Sequence, residues 1–318
     1  MIKWIKNILG ITIIFFLLWY LIQHWEDLQH LLKLSLADLF FIYLISLLGT
    51  LNTAYITSRL LLAFDVKTRF WDMVLLQNAA SLLNYVPMKF GTIFRANYLK
   101  RHYGLSYTKF SVFFVYLTLL MIATASAVGL LVLIFIYDIM KYETRVLAVT
   151  FALLLIGSFA FAFIPLPALS KTNKIGIIAG NFAAARRQVI ASNRVLITCM
   201  FLYFINFVLF SVRLGIIYHS MGQNIHPAGC LVLGALGYIT LILSLTPGAL
   251  GIRELVLSSG GIALGIPFKV GVLASMVDRA IILSLVFTLG SACVIRLWRK
   301  TPADFKIDKQ SSLPEKQD

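Results

Sequence analysis

Residues 245–254 read LTPGALGIRE and interrupt an apolar stretch that covers residues 227–266. Pro247, Gly248 and Gly251 all disfavour an unbroken helix at this point. The stretch resumes after the break, but its second part is too short to cross a bilayer, because a spanning helix needs about 20 apolar residues. We therefore expect a re-entrant hairpin, in which the chain enters the membrane, breaks at this motif and returns to the same side.

A second stretch, residues 87–91, has the same Pro-x-x-x-Gly spacing and reads PMKFG. Here Pro87 and Gly91 take the places of Pro247 and Gly251. The segment before it is apolar, whereas residues 92–103 are too polar to span a bilayer. Non-helical backbone at membrane depth is tolerated only against protein or a wet cavity. We expect a second hairpin here, and the alternative for either motif alone is a packing kink.

Long apolar runs surround both breaks. The chain is 60% hydrophobic and only 13% charged, whereas a soluble domain carries about 25% charged residues. This composition excludes an ordinary soluble enzyme and a disordered chain. It predicts an all-α, polytopic helical membrane protein with about six full transmembrane spans and two re-entrant broken-helix hairpins. The predicted full spans are Ile8–Ile22, Leu39–Thr57, Phe110–Tyr137, Arg145–Ile164, Val195–His219 and Lys269–Ile295.

The order of segments occurs twice. A span, an amphipathic stretch, a span, a hairpin and a span make up residues 1–137, and the same order recurs over residues 138–297. We expect one integral membrane domain over 1–297, built as an inverted repeat, and a disordered polar tail over 298–318. Inverted repeats are common in transporters, whose substrate sites lie near the midplane where broken helices meet.

The distribution of basic residues predicts the orientation. Twenty Lys and Arg fall on one side of the predicted topology, and four fall on the other. Basic residues accumulate on the cytoplasmic side of membrane proteins. The pattern therefore predicts a multi-pass protein of the cytoplasmic (inner) membrane, with both termini in the cytoplasm.

Ionisable residues at membrane depth are the candidate substrate site. Each costs roughly 2.5–3.5 kcal/mol at the centre of a spanning helix, so each should face a cavity or a partner. Positive charges outnumber negative ones, which favours an anionic ligand such as a phosphate headgroup. Half-helix N-termini after each break would add positive dipole ends. The candidates are Lys89, Arg95, Arg213, Arg253, Glu254, Asp278 and Arg279.

Two structural alternatives concern members of this set. Glu254 and Arg279 can form an ion pair that fixes the second hairpin to the last span. Arg213 lies close to the end of its span and can extend its side chain to the membrane surface instead of facing a cavity.

Motifs for catalysis, metals and cofactors are missing from the sequence. The cysteines Cys199, Cys230 and Cys293 lie in apolar runs without a C-x-x-C pair. There is no cluster with metal-ligand spacing, no phosphate-binding G-x-x-x-x-G-K-[ST] loop and no G-x-S-x-G elbow. We expect no catalytic residues, no metal and no cofactor.

Several motifs resemble one family, the transmembrane region of lysylphosphatidylglycerol synthases, also described as a flippase-like domain. They are LTPGALGIRE (245–254), LGIP (264–267), Asp278-Arg279, NYVP (84–87), Gly91, Arg95 and Lys100-Arg101. The resemblance extends over about residues 8–297. Two positions depart from the family pattern: Ala249 replaces a usual Gly, and Thr92 replaces a frequent Glu, which leaves the first hairpin more cationic.

The resemblance implies a protein that moves a lipid between leaflets, or helps to. Bifunctional members carry an aminoacyl-transferase domain after this region; only 23 residues follow Ile295 here, so we expect translocation without synthase activity. The headgroup contacts would be Arg95, Arg253 and Arg279, with Lys89 in addition, and Glu254 would orient an arginine or exchange a proton. Pro87, Gly91, Pro247, Gly248 and Gly251 would shape the breaks.

Other functions stay open at this point. A membrane-embedded transferase or its accessory subunit would act on a lipid-linked group, with Glu254 and Asp278 as its only plausible acids. A small-anion transporter would use the same positive cavity, and a purely structural role is a further alternative. The expected partner is a membrane phospholipid or lipid-linked sugar. A membrane-protein partner or a homo-oligomer is left open, and no nucleic acid is expected.

Overall fold

The computed structural model describes residues 34–85, 90–138, 141–164, 174–240 and 251–300. Over these ranges the chain is all-helical, with ten α-helices and one short 3-10 turn at Leu62–Phe64. The α-helices are α1 (Leu36–Leu61), α2 (Phe70–Leu83), α3 (Phe90–Tyr103), α4 (Tyr107–Ile136), α5 (Tyr142–Phe163), α6 (Lys174–Ala191), α7 (Asn193–Ser220), α8 (Pro227–Thr240), α9 (Ile252–Ile262) and α10 (Phe268–Lys300).

Five of these helices are long and apolar enough to cross a membrane, within the described ranges. They are α1, α4, α5, α7 and α10, and they coincide with five of the six full spans that the sequence predicts. The remaining predicted span, Ile8–Ile22, lies outside the described residues. A helix satisfies all of its backbone hydrogen bonds within one segment, which is why such apolar runs fold this way in lipid.

The helices α1 and α7 pack along each other in opposite directions. Near one end of the pair, Arg213 of α7 donates to the Ser46 hydroxyl of α1. Further along, the amide of Asn206 donates to Thr53 Oγ1, and the thiol of Cys199 lies 3.9 Å from the Ile56 carbonyl oxygen. Residue numbers rise on α1 as they fall on α7, so the two helices are antiparallel.

The last helix, α10, contacts both α2 and α9. Asn78 and Leu82 of α2 lie against Gly290, and the ring of Tyr85, just after α2, packs on the ring of Phe287. The helix α2 is therefore antiparallel to α10, and it points towards the middle of that helix.

The helix α9 approaches α10 from the other end. Ser258 of α9 lies against Gly271, and Arg253, at the start of α9, bonds to Asp278. Later residues of α9 contact earlier residues of α10, so α9 is also antiparallel to α10. A corresponding contact joins α8 to α4, where Gly229 lies against the hydroxyl of Tyr137.

The helices begin two or three residues before several of the predicted spans, and the largest difference is at the end of the last helix. The helix α10 continues to Lys300, three residues into the stretch predicted as a disordered tail, because its final residues Leu297, Trp298, Arg299 and Lys300 are compatible with a helix. Four of the predicted break and site residues lie outside the described ranges: Pro87, Lys89, Pro247 and Gly248.

Candidate functional site

Five charged side chains from three helices meet inside the protein. They are Arg213 from α7, Arg253 and Glu254 from α9, and Asp278 and Arg279 from α10, and we refer to them as the charged cluster. All five are buried, and Asp278 has no exposed surface. Three arginines and two carboxylates give the cluster a formal charge of +1.

Asp278 lies between two arginines. Its Oδ2 accepts a hydrogen bond from Arg253 Nη2 at 2.5 Å, and its Oδ1 lies 2.6 Å from Arg213 Nε. The second contact is an ion pair by distance, but its angle is not that of a hydrogen bond. Within the part of the chain that the structure describes, Nε of Arg213, Nε of Arg253 and Oδ1 of Asp278 therefore lack hydrogen-bond partners.

Arg213 does not extend to the membrane surface, so that alternative from the sequence is wrong. Its side chain is 8% exposed and paired with Asp278, and its Nη1 donates to the Ser46 hydroxyl at 2.9 Å. A carboxylate and a hydroxyl on neighbouring helices provide an internal partner, which removes the reason for the guanidinium to reach water.

Glu254 joins the start of α9 to α10. One of its oxygens lies 3.3 Å from Arg279 Nη1, so the predicted ion pair is present. The other accepts the backbone N–H of Gly251 at 2.7 Å, which satisfies one of the free donors at a helix start. Gly251 has φ of 84°, a conformation that favours glycine.

An aromatic platform lies beneath two of the arginines. The guanidinium carbons of Arg213 and Arg253 lie 5.0 Å and 5.1 Å from the centroid of the Phe210 ring, within the range of cation–π attraction. Tyr238 of α8 packs edge-on against Phe210 at 5.4 Å. Both guanidinium groups are therefore held in position by an apolar side chain as well as by Asp278.

Arg95 belongs to a separate environment at the other helix pair. It is buried on α3, and its Nη2 donates to the side-chain oxygen of Gln77 on α2 at 2.6 Å. Its Nε has no hydrogen-bond partner among the described residues. The start of α3 approaches α2 closely, since a Cβ added to Gly91 would overlap the Ala80 carbonyl oxygen.

The structure thus brings together five of the candidate residues, namely Arg213, Arg253, Glu254, Asp278 and Arg279, and places Arg95 on another pair of helices. Sequence reasoning did not identify Ser46, Gln77, Phe210 or Tyr238. The adjacent amides Gln77 and Asn78 in an apolar helix were the only available signal for Gln77, and nothing in the apolar runs distinguishes Phe210 from other phenylalanines. Among the described residues, no group of three His, Cys, Asp or Glu side chains lies close enough together to hold a metal.

The comparisons with known proteins support one family. A comparison with curated proteins gives no match. A comparison with solved structures gives no match. The family described as the lysylphosphatidylglycerol synthase TM region matches residues 7–290, which include four of the five predicted spans among the described helices, most of the last one and the whole charged cluster. The chain is therefore a membrane protein that belongs to the lysylphosphatidylglycerol synthase transmembrane-region family.

Proposed function

We propose that this protein is a flippase-like transporter that moves an anionic or glycosylated lipid, or helps to move it, across the cytoplasmic membrane. The observation that carries the proposal is the charged cluster, in which buried guanidinium groups outnumber carboxylates. Such a cluster is costly inside a membrane protein unless an anion or water completes it. A lipid phosphate supplies that anion, and the family provides the link to lipids.

The direction of the helices supports a pair of opposed re-entrant hairpins. The helices α2 and α3 form the first hairpin of the proposal, and α8 and α9 form the second. Both α2 and α9 are antiparallel to α10, but α2 is the first arm of its hairpin and α9 is the second arm. Two hairpins related in this way enter the membrane from opposite sides, as an inverted repeat requires.

The depth of the cluster supports a site inside the bilayer. The apolar span of α10 covers Phe268–Leu297. Asp278 lies about five residues from the middle of this span, which is roughly 7 Å along a helix axis. Phe287, which contacts the first hairpin, lies at a similar distance on the other side. In the proposal the headgroup occupies the region between these two levels.

The packing of equivalent helices supports the same symmetry. In the proposed repeat, α1 corresponds to α7, α2 to α8 and α4 to α10. The antiparallel contact of α1 with α7 then relates two equivalent helices, and the contact of α2 with α10 is the counterpart of the contact of α8 with α4. The distribution of basic residues supports a cytoplasmic position for both termini and for the base of the first hairpin.

The side chains have distinct roles in this proposal. Arg253 and Arg279 bind the lipid phosphate at the second hairpin, and Arg95, with Lys89, binds it at the first. Glu254 orients Arg279 through their ion pair. We propose a transporter rather than an enzyme, because both acids of the charged cluster are paired with arginines, and neither is therefore available as a general base.

Reconstituted vesicles provide the test. Purified protein is placed in vesicles that contain a trace of headgroup-labelled phosphatidylglycerol, and a membrane-impermeant quencher reports the label that reaches the outer leaflet. We expect Arg279→Ala to slow this movement at least about tenfold, because the variant loses a headgroup contact. Arg187→Ala, which removes an exposed arginine of α6, is the matched control and should leave the rate unchanged.

Three other outcomes would count against the proposal. Equal rates for Arg279→Ala and the native protein would contradict this site. Uptake of soluble phosphate by vesicles, with no movement of lipid, would favour a small-anion transporter. A new lipid product formed from an added donor, and lost in Glu254→Gln, would favour a membrane-embedded transferase.

A further inference from the structure

Among the described residues, Asp278 is the acidic side chain that contacts both Arg213 and Arg253. A phosphate that approaches these arginines competes with a carboxylate that is already present. Asp278 therefore does more than hold the helices together, since it lowers the positive charge that the site offers to a ligand.

Without a ligand, the charged cluster has a formal charge of +1. Arg213, Arg253 and Arg279 contribute three positive charges, and Glu254 and Asp278 contribute two negative ones. All five side chains are buried, so water screens their charges only weakly. An uncompensated charge in the cluster therefore has a large free-energy cost. One negative charge on a ligand brings the total to zero.

An open hydrogen-bond position shows that the cluster is not saturated. Nε of Arg253 is buried and has no acceptor among the described residues, whereas Nε of Arg213 already lies 2.6 Å from Oδ1 of Asp278. Both guanidinium groups are fixed over Phe210, so their donors are directed before a ligand arrives. A buried donor without an acceptor is unfavourable, and an oxygen of a phosphodiester group can accept from Nε of Arg253.

We propose, on the basis of the proposed function, that Asp278 makes the site selective for lipids with a single net negative charge. A zwitterionic headgroup leaves the cluster at +1. A headgroup with an additional phosphomonoester brings roughly two further negative charges at neutral pH, which makes the occupied cluster negative. A monoanionic phosphodiester leaves the buried charge balanced.

Three lipids that carry the same label on the same acyl chain, and an unmodified headgroup, test this selectivity in reconstituted vesicles. They are phosphatidylglycerol, which is monoanionic, phosphatidylethanolamine, which is zwitterionic, and phosphatidylglycerol phosphate, which carries the additional phosphomonoester. For the native protein we expect phosphatidylglycerol to move at least about fivefold faster than either of the others. Equal rates for all three lipids would overturn the proposal, whereas no movement of any lipid would overturn the proposed function itself.

Variants change the charge of the cluster in steps. Asp278→Asn raises the charge to +2 and should increase the rate for phosphatidylglycerol phosphate relative to phosphatidylglycerol at least about fivefold. Arg213→Gln lowers the charge to zero and should increase the relative rate for phosphatidylethanolamine. Each ratio compares two lipids on one protein sample, so it does not depend on the amount of folded protein.

The double variant Arg213→Gln with Asp278→Asn is the decisive control. Its cluster returns to +1, so we expect the preference for phosphatidylglycerol to return as well, even if the absolute rate is lower. If Asp278→Asn does not fold, Arg213→Gln and the double variant still test the proposal. A double variant that keeps the altered preference of either single variant would overturn it.

Discussion

At the scale of single residues, the central feature is a carboxylate shared by two arginines. Asp278 has no exposed surface and is bonded to Arg253 on one side and close to Arg213 on the other. These arginines come from different helices, α9 and α7, so a single side chain on α10 holds three helices together. Removing one partner of a buried ion pair leaves an uncompensated charge, which costs more than the pair contributes.

We expect Asp278→Ala to destabilise the protein by about 3–5 kcal/mol, because two buried guanidinium groups lose their common counter-charge. Thermal unfolding in detergent measures the effect as a lower midpoint. Glu143→Ala is the matched control, since Glu143 is an exposed acid in the first turn of α5; its loss should cost less than about 1 kcal/mol. Equal midpoints for the two variants would contradict the role of Asp278.

Charged residues were the part of the site that the sequence could reveal. Arg253, Glu254, Asp278 and Arg279 stand out because charges are rare in apolar runs, and the pairing of Glu254 with Arg279 follows from the short connection between their helices. The partner of Arg213 could not be predicted, because it depends on how α7 packs against α10.

Uncharged partners were also beyond prediction. Ser46 and Gln77 are ordinary polar residues of membrane helices, and they become significant only because a guanidinium group lies within 3 Å of each. Phe210 is one of 24 phenylalanines in the chain. Its position beneath two arginines follows from tertiary packing alone.

At the scale of elements, short paired helices pack against long helices, and both kinds contribute polar groups to the site. The pair α2 and α3 is held at close range by Gly91, whose missing side chain lets the start of α3 touch the Ala80 carbonyl oxygen. The sequence predicted this glycine as part of a break. The close contact of Gly91 with α2 is a separate property, and it could not be predicted from the sequence.

We expect Gly91→Ala to separate α2 from α3 and to destabilise the protein by about 1–3 kcal/mol, as overpacking of a tight contact does. Lipid movement should fall in the same variant, because Arg95 and Gln77 lie on the two helices that separate. Gly180→Ala is the control, since a Cβ at Gly180 of α6 meets no atom within 4 Å. Its unfolding midpoint should stay the same or rise slightly. A Gly91 variant that behaves like this control would show that the contact is not needed.

At the scale of the whole molecule, the long apolar runs were enough to predict the membrane spans, because a helix is the element that satisfies its own backbone in lipid. Five predicted spans recur as helices within the described ranges. The relative direction of the two helix pairs, α2 with α3 and α8 with α9, could not be predicted in the same way. It depends on contacts such as Tyr85 with Phe287 and Arg253 with Asp278, which link residues far apart in the chain.

The proposed inverted topology predicts that the outer ends of the two hairpins face opposite sides of the membrane. Single cysteines at His102 and at Phe268, both exposed, are introduced after Cys199, Cys230 and Cys293 have been replaced by serine. A membrane-impermeant maleimide should label Phe268→Cys in intact cells stripped of their outer layers, and His102→Cys only after the membrane is opened. Labelling of both from the same side would contradict the topology.

An experimental structure of the protein in lipid nanodiscs that contain phosphatidylglycerol would show whether the charged cluster binds a lipid phosphate. We expect density for a phosphate about 3 Å from Nε of Arg253, with the acyl chains directed into the bilayer. The proposal would be contradicted if the charged cluster contained no density besides the protein while lipids were seen only on the outer surface.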